Sequence, residues 1–146
     1  FFLIPLILSQ YGINRSEMWK IYLPMLLIGG ITMVLASVLA DLKNCFKEVM
    51  LFGIFLMLLS LVFMGLGQKH GLVIMYIIAL YLFFMGFNIF EPILPSLVSK
   101  TSTNETKGAA IGVYNFAQFF GHFVGATIAG MLFLNHFFIP APFNLN

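Results

Sequence analysis

The sequence predicts an all-α membrane protein, and three observations carry the prediction: the composition, the long uncharged runs and the short charged connectors. Hydrophobic residues make up 61% of the 146 positions and charged residues 8%, with a mean hydropathy of +1.03. Soluble globular domains carry a much larger charged share. Because about 20 apolar residues in a helix cross the hydrocarbon core of a bilayer, we expect membrane-spanning helices surrounded by lipid.

Four runs are long enough to cross the membrane. They are residues 21–40, 49–67, 72–98 and 108–134. The first two carry no charged residue, whereas Glu91 interrupts the third and His122 the fourth. We predict a helix over each run.

The two ends of the chain differ from these runs. Residues 1–13 are apolar but too short to cross, and they begin without an initiator Met, so we expect the end of a truncated helix in a fragment. This segment lacks the basic leading region and small-residue cleavage site of a signal peptide. Residues 1–134 are therefore predicted to form one transmembrane bundle, with residues 135–146 as a tail.

The connectors are short and hold nearly all the charge. Tight connections make adjacent helices antiparallel, so alternate loops share a side of the membrane. Loops 41–48 and 99–107 carry four basic residues against three for the other two loops, which favours their cytoplasmic location by one residue. A net charge of +2 without a basic cluster gives no case for nucleic-acid binding.

Motifs for catalysis and metal binding are absent from the sequence. The runs contain no His-Glu-x-x-His, paired aspartates or Gly-x-Ser-x-Gly, so we predict that the protein is not an enzyme. Cys45 is the single cysteine and has no His near it, which rules out an internal disulfide and offers no metal site. We expect no cofactor.

The second and third runs have different characters. Residues 49–67 are almost entirely Leu, Met, Phe and Val, which favours a helix on the outside of the bundle, largely surrounded by lipid. In the third run, Pro92 and Pro95 lack an N–H, so the carbonyls of Asn88 and Glu91 lose their intrahelical partners and we expect a bend there. Asn88 and Glu91 are three residues apart and share a face, which predicts a concentrated polar patch.

Glu91 has three interpretations. In the first, it marks the point where the helix leaves the membrane, with Lys100 as an interfacial anchor. In the second, it lines an aqueous cavity and carries a proton or pairs with a cation. In the third, it forms an ion pair with a half of the protein that lies outside this chain. The apolar stretch at residues 93–98 keeps the second interpretation open.

The fourth run separates polar and aromatic residues on opposite faces. At about 100° per residue, one arc of roughly 120° holds Tyr114, Asn115, Gln118, Gly121, His122 and Gly125. The opposite side holds Phe116, Phe119, Phe120 and Phe123. We expect the first face to contact protein and the second to contact lipid.

Small and polar residues of the fourth run suggest two roles. Two Gly-x-x-x-Gly pairs are spaced for the close approach of another helix; they are Gly108 with Gly112 and Gly121 with Gly125. Asn115 and Gln118 fit hydrogen bonding between helices and contact with a substrate equally well. Tyr114 lies beside them on the same face, and His122 is a further candidate for carrying a proton.

Two stretches of this sequence show a family resemblance. They read EPILPSLVSK at residues 91–100 and KGAAIGVY at 107–114, the latter leading into QFFG at 118–121. Through them the chain resembles the C-terminal half of a major facilitator superfamily transporter, and in particular the bacterial YajR-like efflux branch. The stretch SVLAD at residues 37–41 is similar to the family's Gly-x-Leu-Ala-Asp-Arg loop motif, and places Asp41 in a cytoplasmic loop. Ser37 replaces the motif's first Gly.

The resemblance implies a twelve-helix transporter fold with two six-helix bundles. Residues 1–134 would supply helices seven to eleven, a partial six-helix bundle, and the missing N-terminal half of the same transporter would be its partner. In this family, helices seven and ten line the central cavity, which would place Asn88 and Glu91 near it. Helix nine faces lipid, and helices eight and eleven meet the other half.

The expected function is secondary transport of a small molecule in a bacterial inner membrane. We expect proton-coupled efflux by alternating access, in which two bundles rock about a central site. The fragment is not expected to transport alone. The alternative is a non-transporting membrane subunit or assembly factor, which would keep the glycine contacts but have no use for Glu91.

Overall fold

Four long helices make up the part of the chain that the structure describes. The computed structural model describes residues 8–9 and 12–136, with side-chain surroundings as far as residue 132. The helices are α1 (Trp19–Lys43), α2 (Phe46–His70), α3 (Val73–Thr101) and α4 (Lys107–His136). A 3-10 turn at Arg15–Glu17 precedes α1, and no strand occurs among the described residues. The predicted all-α class is confirmed.

Three segments are long and apolar enough to cross a membrane. Within the described residues these are Arg15–Lys43, Phe46–His70 and Val73–Thr101. Helix α4 has 30 residues, but Asn115, Gln118 and His122 make it more polar, and its membrane crossing stays a prediction. The chain is thus an integral membrane protein with at least these three candidate spans.

The helices extend beyond the uncharged runs. Residues 41–48 were expected to form a loop, but Asp41 lies in the last turn of α1 and Glu48 in the first turn of α2, so that expectation was wrong. Only Asn44 and Cys45 separate the two helices. Hydropathy marks the part of a helix that lies in hydrocarbon, whereas backbone hydrogen bonding continues through the charged residues at either end.

Residues with a positive φ follow the helical residues 8–9, helix α1 and helix α2. Gly12 has a φ of 82°, its N–H bonds the Ser9 carbonyl, and the Ile13 N–H bonds the Leu8 carbonyl, which is the Schellman arrangement that closes a helix. Most of the short run predicted at residues 1–13 lies outside the described residues. Asn44 ends α1 and Gly71 ends α2 with φ values of 52° and 65°. Because both connectors are two residues long, α1, α2 and α3 alternate in direction.

Buried residues recur along α1, α2 and α3 mainly at intervals of three, four or seven. On α1 they are Met25, Gly29, Ala36 and Ala40. On α2 they are Gly53, Leu56, Ser60 and Gly67. On α3 they are Ala79, Leu80, Gly86, Ile89 and Ile93. This spacing is typical of helices that pack side by side at a small angle, with small residues at the contact.

Helices α2 and α3 approach most closely at two glycines. A Cβ added at Gly86 would lie 2.8 Å from the Gly53 carbonyl oxygen, so the two backbones nearly touch. Ser60 is buried on the same side of α2, and its hydroxyl donates to the Met57 carbonyl at 2.6 Å. The other side of α2 exposes large apolar residues such as Phe55, consistent with the expected contact with lipid.

The described residues divide into two compact units, with the boundary between Lys100 and Thr101, and each unit is treated by itself. The first unit holds α1, α2 and nearly all of α3 around a core of Ala36, Ala40, Leu56, Ile89 and Ile93. The second unit holds α4. Its first turn begins after Thr106, whose carbonyl accepts from the Ala110 N–H at 2.9 Å.

Candidate functional site

Helix α3 carries the polar patch that the sequence predicts. Asn88 and Glu91 are both half-buried, one turn apart on this helix. The Asn88 Nδ2 donates to the Phe84 carbonyl at 2.8 Å. The same nitrogen lies 3.0 Å from where a Cβ would stand on Gly29, so the Asn88 side chain rests against α1.

Asn88 belongs to a line of residues on α3 that faces α1. The Tyr81 hydroxyl donates to the Ile21 carbonyl at 3.0 Å, and the Phe84 ring contacts the position of Gly29. Tyr81, Phe84, Asn88 and Glu91 are spaced by three, four and three residues, so they lie along one side of the helix. We call these four residues the α1-facing stripe. Glu91 is its last member and occupies the turn after the Asn88 contact.

An ion pair fixes the far end of the same two helices. The Lys100 Nζ lies 2.7 Å from the Asp41 Oδ1, and it also lies 4.2 Å from the centre of the Phe46 ring. Both charged side chains are half-exposed. Lys100 therefore connects the ends of α1 and α3 with the start of α2.

These contacts define the level of Glu91 along the three helices of the first unit. Lys100 lies nine residues further along α3, which is about 14 Å at the helical rise of about 1.5 Å. Relative to α1, Glu91 lies level with Thr32, near the middle of the uncharged run 21–40. Relative to α2, Glu91 lies nearer one end of the uncharged run, because Val49 at the start of that run packs on the cluster that contains Ile93. Along α3, Glu91 thus lies between the level of Thr32 on α1 and the Asp41–Lys100 pair.

Glu91 is the sole Asp, Glu, Lys, Arg or His in the runs 21–40, 49–67 and 72–98. Its neighbours Ile89 and Ile93 are 2% and 1% exposed. An ionised carboxylate at such a position requires polar partners or water, and a protonated one does not carry that cost.

The two prolines leave α3 helical but change its hydrogen bonding. The helix continues through Pro92 and Pro95 to Thr101. Neither proline has an N–H, so the carbonyls of Asn88 and Glu91 are deprived of their usual intrahelical donor. One turn of α3 thus concentrates two such carbonyls, an amide and a carboxyl group. The bend expected here stays a prediction.

Helix α4 holds the other candidate residues in the second unit. Tyr114 and Gln118 are half-buried, whereas Asn115 and His122 are exposed. The rings of Phe116 and Phe119 on the opposite side are each 70% exposed. The division into a polar and an aromatic face is therefore present on this helix. Within this unit, the α-carbons of Gly108, Gly112, Gly121 and Gly125 face open space, and their role in packing stays a prediction.

Some residues of the site were not visible in the sequence. Gly29, Tyr81 and the partner of Asp41 are recognisable only once α1 and α3 lie side by side, because the bonded residues are 59 or 60 positions apart. A signal existed in α2, where Gly53, Ser60 and Gly67 recur every seven residues and indicate a packed side. Among the described residues, no group of three or more His, Cys, Asp or Glu is arranged to hold a metal ion.

Known proteins share this chain's sequence over most of its length. Inner membrane transport protein YajR of Escherichia coli (strain K12) is 33% identical over 132 residues, which cover 90% of this chain and 29% of that protein. An uncharacterized transporter of Buchnera aphidicola subsp. Acyrthosiphon pisum (strain APS) is 30% identical over 125 residues, covering 86% and 32%. Another, of Buchnera aphidicola subsp. Baizongia pistaciae (strain Bp), is 35% identical over 106 residues, covering 71% and 24%.

The chain spans about a third or less of the length of these relatives. No solved structure matches it significantly. A family model described as Major Facilitator Superfamily matches residues 1–126. This match covers α1, α2, α3 and most of α4, and it agrees with the apolar helices and with the relatives named as transporters. The chain belongs to the Major Facilitator Superfamily.

Proposed function

We propose that this chain is part of a proton-coupled secondary transporter that exports small molecules across a bacterial inner membrane. Membership of the superfamily and the names of three bacterial relatives support transport. The chain would form most of the C-terminal bundle, and the remaining helices would come from the rest of the transporter. Transport would proceed by alternating access, in which two bundles rock about a site between them.

The position of Glu91 carries the proposal. It is the one acidic residue of the apolar runs 21–40, 49–67 and 72–98, about 14 Å along α3 from the Asp41–Lys100 pair. Ionisable residues at such depth usually mark the path of an ion, a proton or a substrate. Glu91 would take up a proton from one side of the membrane and release it to the other.

The apolar stretch at residues 93–98 favours this interpretation of Glu91 over a helix that leaves the membrane there. This stretch is part of α3, and its Ile93 is buried in the core of the first unit. An ion pair with the other half of the transporter remains compatible with proton transfer, because the carboxyl group would exchange its proton when that pair opens.

The polar face of α4 holds the other candidates for contact with substrate or protons. Tyr114, Asn115 and Gln118 offer hydroxyl and amide groups that would contact substrate or a neighbouring helix. His122 would be a second proton-carrying group. The exposed phenylalanines on the other side of α4 would contact lipid.

Transport in vesicles tests this proposal. The complete transporter would be reconstituted in liposomes, with a pH gradient imposed and ethidium as the amphipathic probe. Wild type is expected to move ethidium against its gradient and to dissipate the pH gradient while doing so. Glu91→Gln removes the exchangeable proton but keeps the side-chain size, and it is expected to lose both movements.

Glu48→Gln is the matched control, since Glu48 is an exposed carboxylate at the start of α2. It is expected to transport like wild type. Coupled transport by Glu91→Gln at the wild-type rate would remove Glu91 from the mechanism. Wild-type vesicles that move neither ethidium nor protons would contradict efflux and favour the non-transporting subunit.

A further inference from the structure

Helices α1 and α3 keep the same offset in residue number over their whole contact. Tyr81 bonds the Ile21 carbonyl across 60 positions, and Lys100 pairs with Asp41 across 59. Between them, Asn88 contacts the position of Gly29, again at an offset of 59. These three contacts, spread along two parallel helices, therefore define the axial position of α3 relative to α1.

The middle contact depends on the lack of a side chain at Gly29. A Cβ there would meet the Phe84 ring at Cε1, would lie 2.6 Å from its Cδ1, and would lie 3.0 Å from the Asn88 Nδ2. Real Cβ atoms essentially never come within 3.0 Å of another heavy atom, so the Phe84 ring would have to shift, and the tight contact with Asn88 would have to widen slightly. The next residue, Gly30, has no described heavy atom within 4 Å of its Cβ position.

A shift at Gly29 would be passed to Glu91. Asn88 is one turn from Glu91 on the α1-facing stripe, and α3 is a continuous helix between them. The Tyr81 hydrogen bond holds α3 on one side of this contact, so displacement would fall mainly on the turns that follow it. The prolines at 92 and 95 weaken the hydrogen bonding of those turns and make them the segment that yields.

We propose that Gly29 is a positioning residue for Glu91, because it lets Phe84 and Asn88 rest on α1 and thereby sets where the carboxyl group lies. This inference rests on the proposed function, in which Glu91 carries the proton. It assigns a role in transport to a glycine that belongs to no motif of the sequence.

Three variants of the complete transporter test the inference by activity. Gly29→Ala is expected to lower the rate of ethidium transport by about tenfold or more, as small misplacements of a functional group do. Gly30→Ala is the matched control and should behave like wild type. Adding Phe84→Leu to Gly29→Ala makes room for the new methyl group and should restore the rate.

A readout that needs no transport separates this inference from the proposed function. A cysteine replacing Glu91, in protein without other cysteines, would be labelled with a membrane-permeant maleimide in the presence of Gly29→Ala or Gly30→Ala. Gly29→Ala is expected to change the labelling rate by about tenfold, and Gly30→Ala to leave it unchanged.

The outcomes distinguish the two claims. If Gly29→Ala lowers only the yield and thermal stability, with the labelling rate at residue 91 unchanged, Gly29 is a packing residue and the inference fails. If the labelling rate changes while Glu91→Gln transports normally, Gly29 does position residue 91 but the proton role of Glu91 is wrong.

Discussion

At the residue scale, the two charged residues of α3 differ in their surroundings. Lys100 is half-exposed at the helix end, where it forms an ion pair with Asp41 and lies over the Phe46 ring. Glu91 is half-buried in the apolar run of α3, between the buried Ile89 and Ile93. Because solvent screens an exposed ion pair, the Lys100–Asp41 pair is expected to contribute little to the free energy of unfolding. Burying a carboxyl group costs free energy, which implies a functional rather than a stabilising role for Glu91.

Replacement of Lys100 tests this difference. Lys100→Met keeps the apolar stem and removes the charge, and it is expected to lower the free energy of unfolding by about 1 kcal/mol or less. The measurement is unfolding by SDS in mixed micelles, with Asp41→Asn and the double variant completing a thermodynamic cycle. A loss above about 3 kcal/mol, the size expected for a buried pair, would show that the connection is essential to the fold.

The sequence predicts the residues on α3 better than their partners. Asn88, Glu91 and the two prolines are conspicuous because polar and N–H-lacking residues are rare in an apolar run. Gly29 and Tyr81 are ordinary residues of such a run. Their roles depend on the height at which α1 and α3 pack, which is a property of the folded chain rather than of either run alone.

At the element scale, small residues determine how the first three helices fit together. Gly53, Ser60 and Gly67 form the packed side of α2, and Gly86 of α3 meets the first of them backbone to backbone. In lipid there is little hydrophobic driving force between helices, so close packing of this kind provides much of the association energy. The contact between α2 and α3 should therefore be intolerant of added volume.

Two glycines of these helices offer a comparison. Gly86→Ala would place a methyl group 2.8 Å from the Gly53 carbonyl oxygen, which is backbone and cannot rotate away. It is expected to cost about 1–3 kcal/mol of unfolding free energy, the usual cost of overpacking. Gly65→Ala on α2 meets open space and is expected to be neutral or to stabilise by up to about 1 kcal/mol through helix propensity.

SDS-induced unfolding of both variants measures this contrast. Equal stability of Gly86→Ala and Gly65→Ala would mean that α2 and α3 are not in contact at these positions.

The existence of the four helices was predictable from long apolar runs, since hydrophobicity and length alone specify them. Their ends were not, because Asp41 and Glu48 continue the helices although charged residues belong outside the hydrocarbon.

At the scale of the whole molecule, the described chain supplies one packed three-helix unit and a fourth helix with distinct polar and aromatic faces. The first unit brings Asn88 and Glu91 to one stripe opposite α1. Tyr114, Gln118 and the other polar residues of α4 lie in the second unit. The partial length of the chain relative to its relatives makes the complete transporter the object on which function is measured.

Proton release on binding tests the central claim most directly. The complete transporter in weakly buffered detergent solution would be mixed with ethidium while a pH indicator records released protons. If substrate and proton compete through Glu91, wild type is expected to release about one proton per molecule and Glu91→Gln none, with Glu48→Gln as the control that behaves like wild type. Equal proton release from wild type and Glu91→Gln would contradict the account.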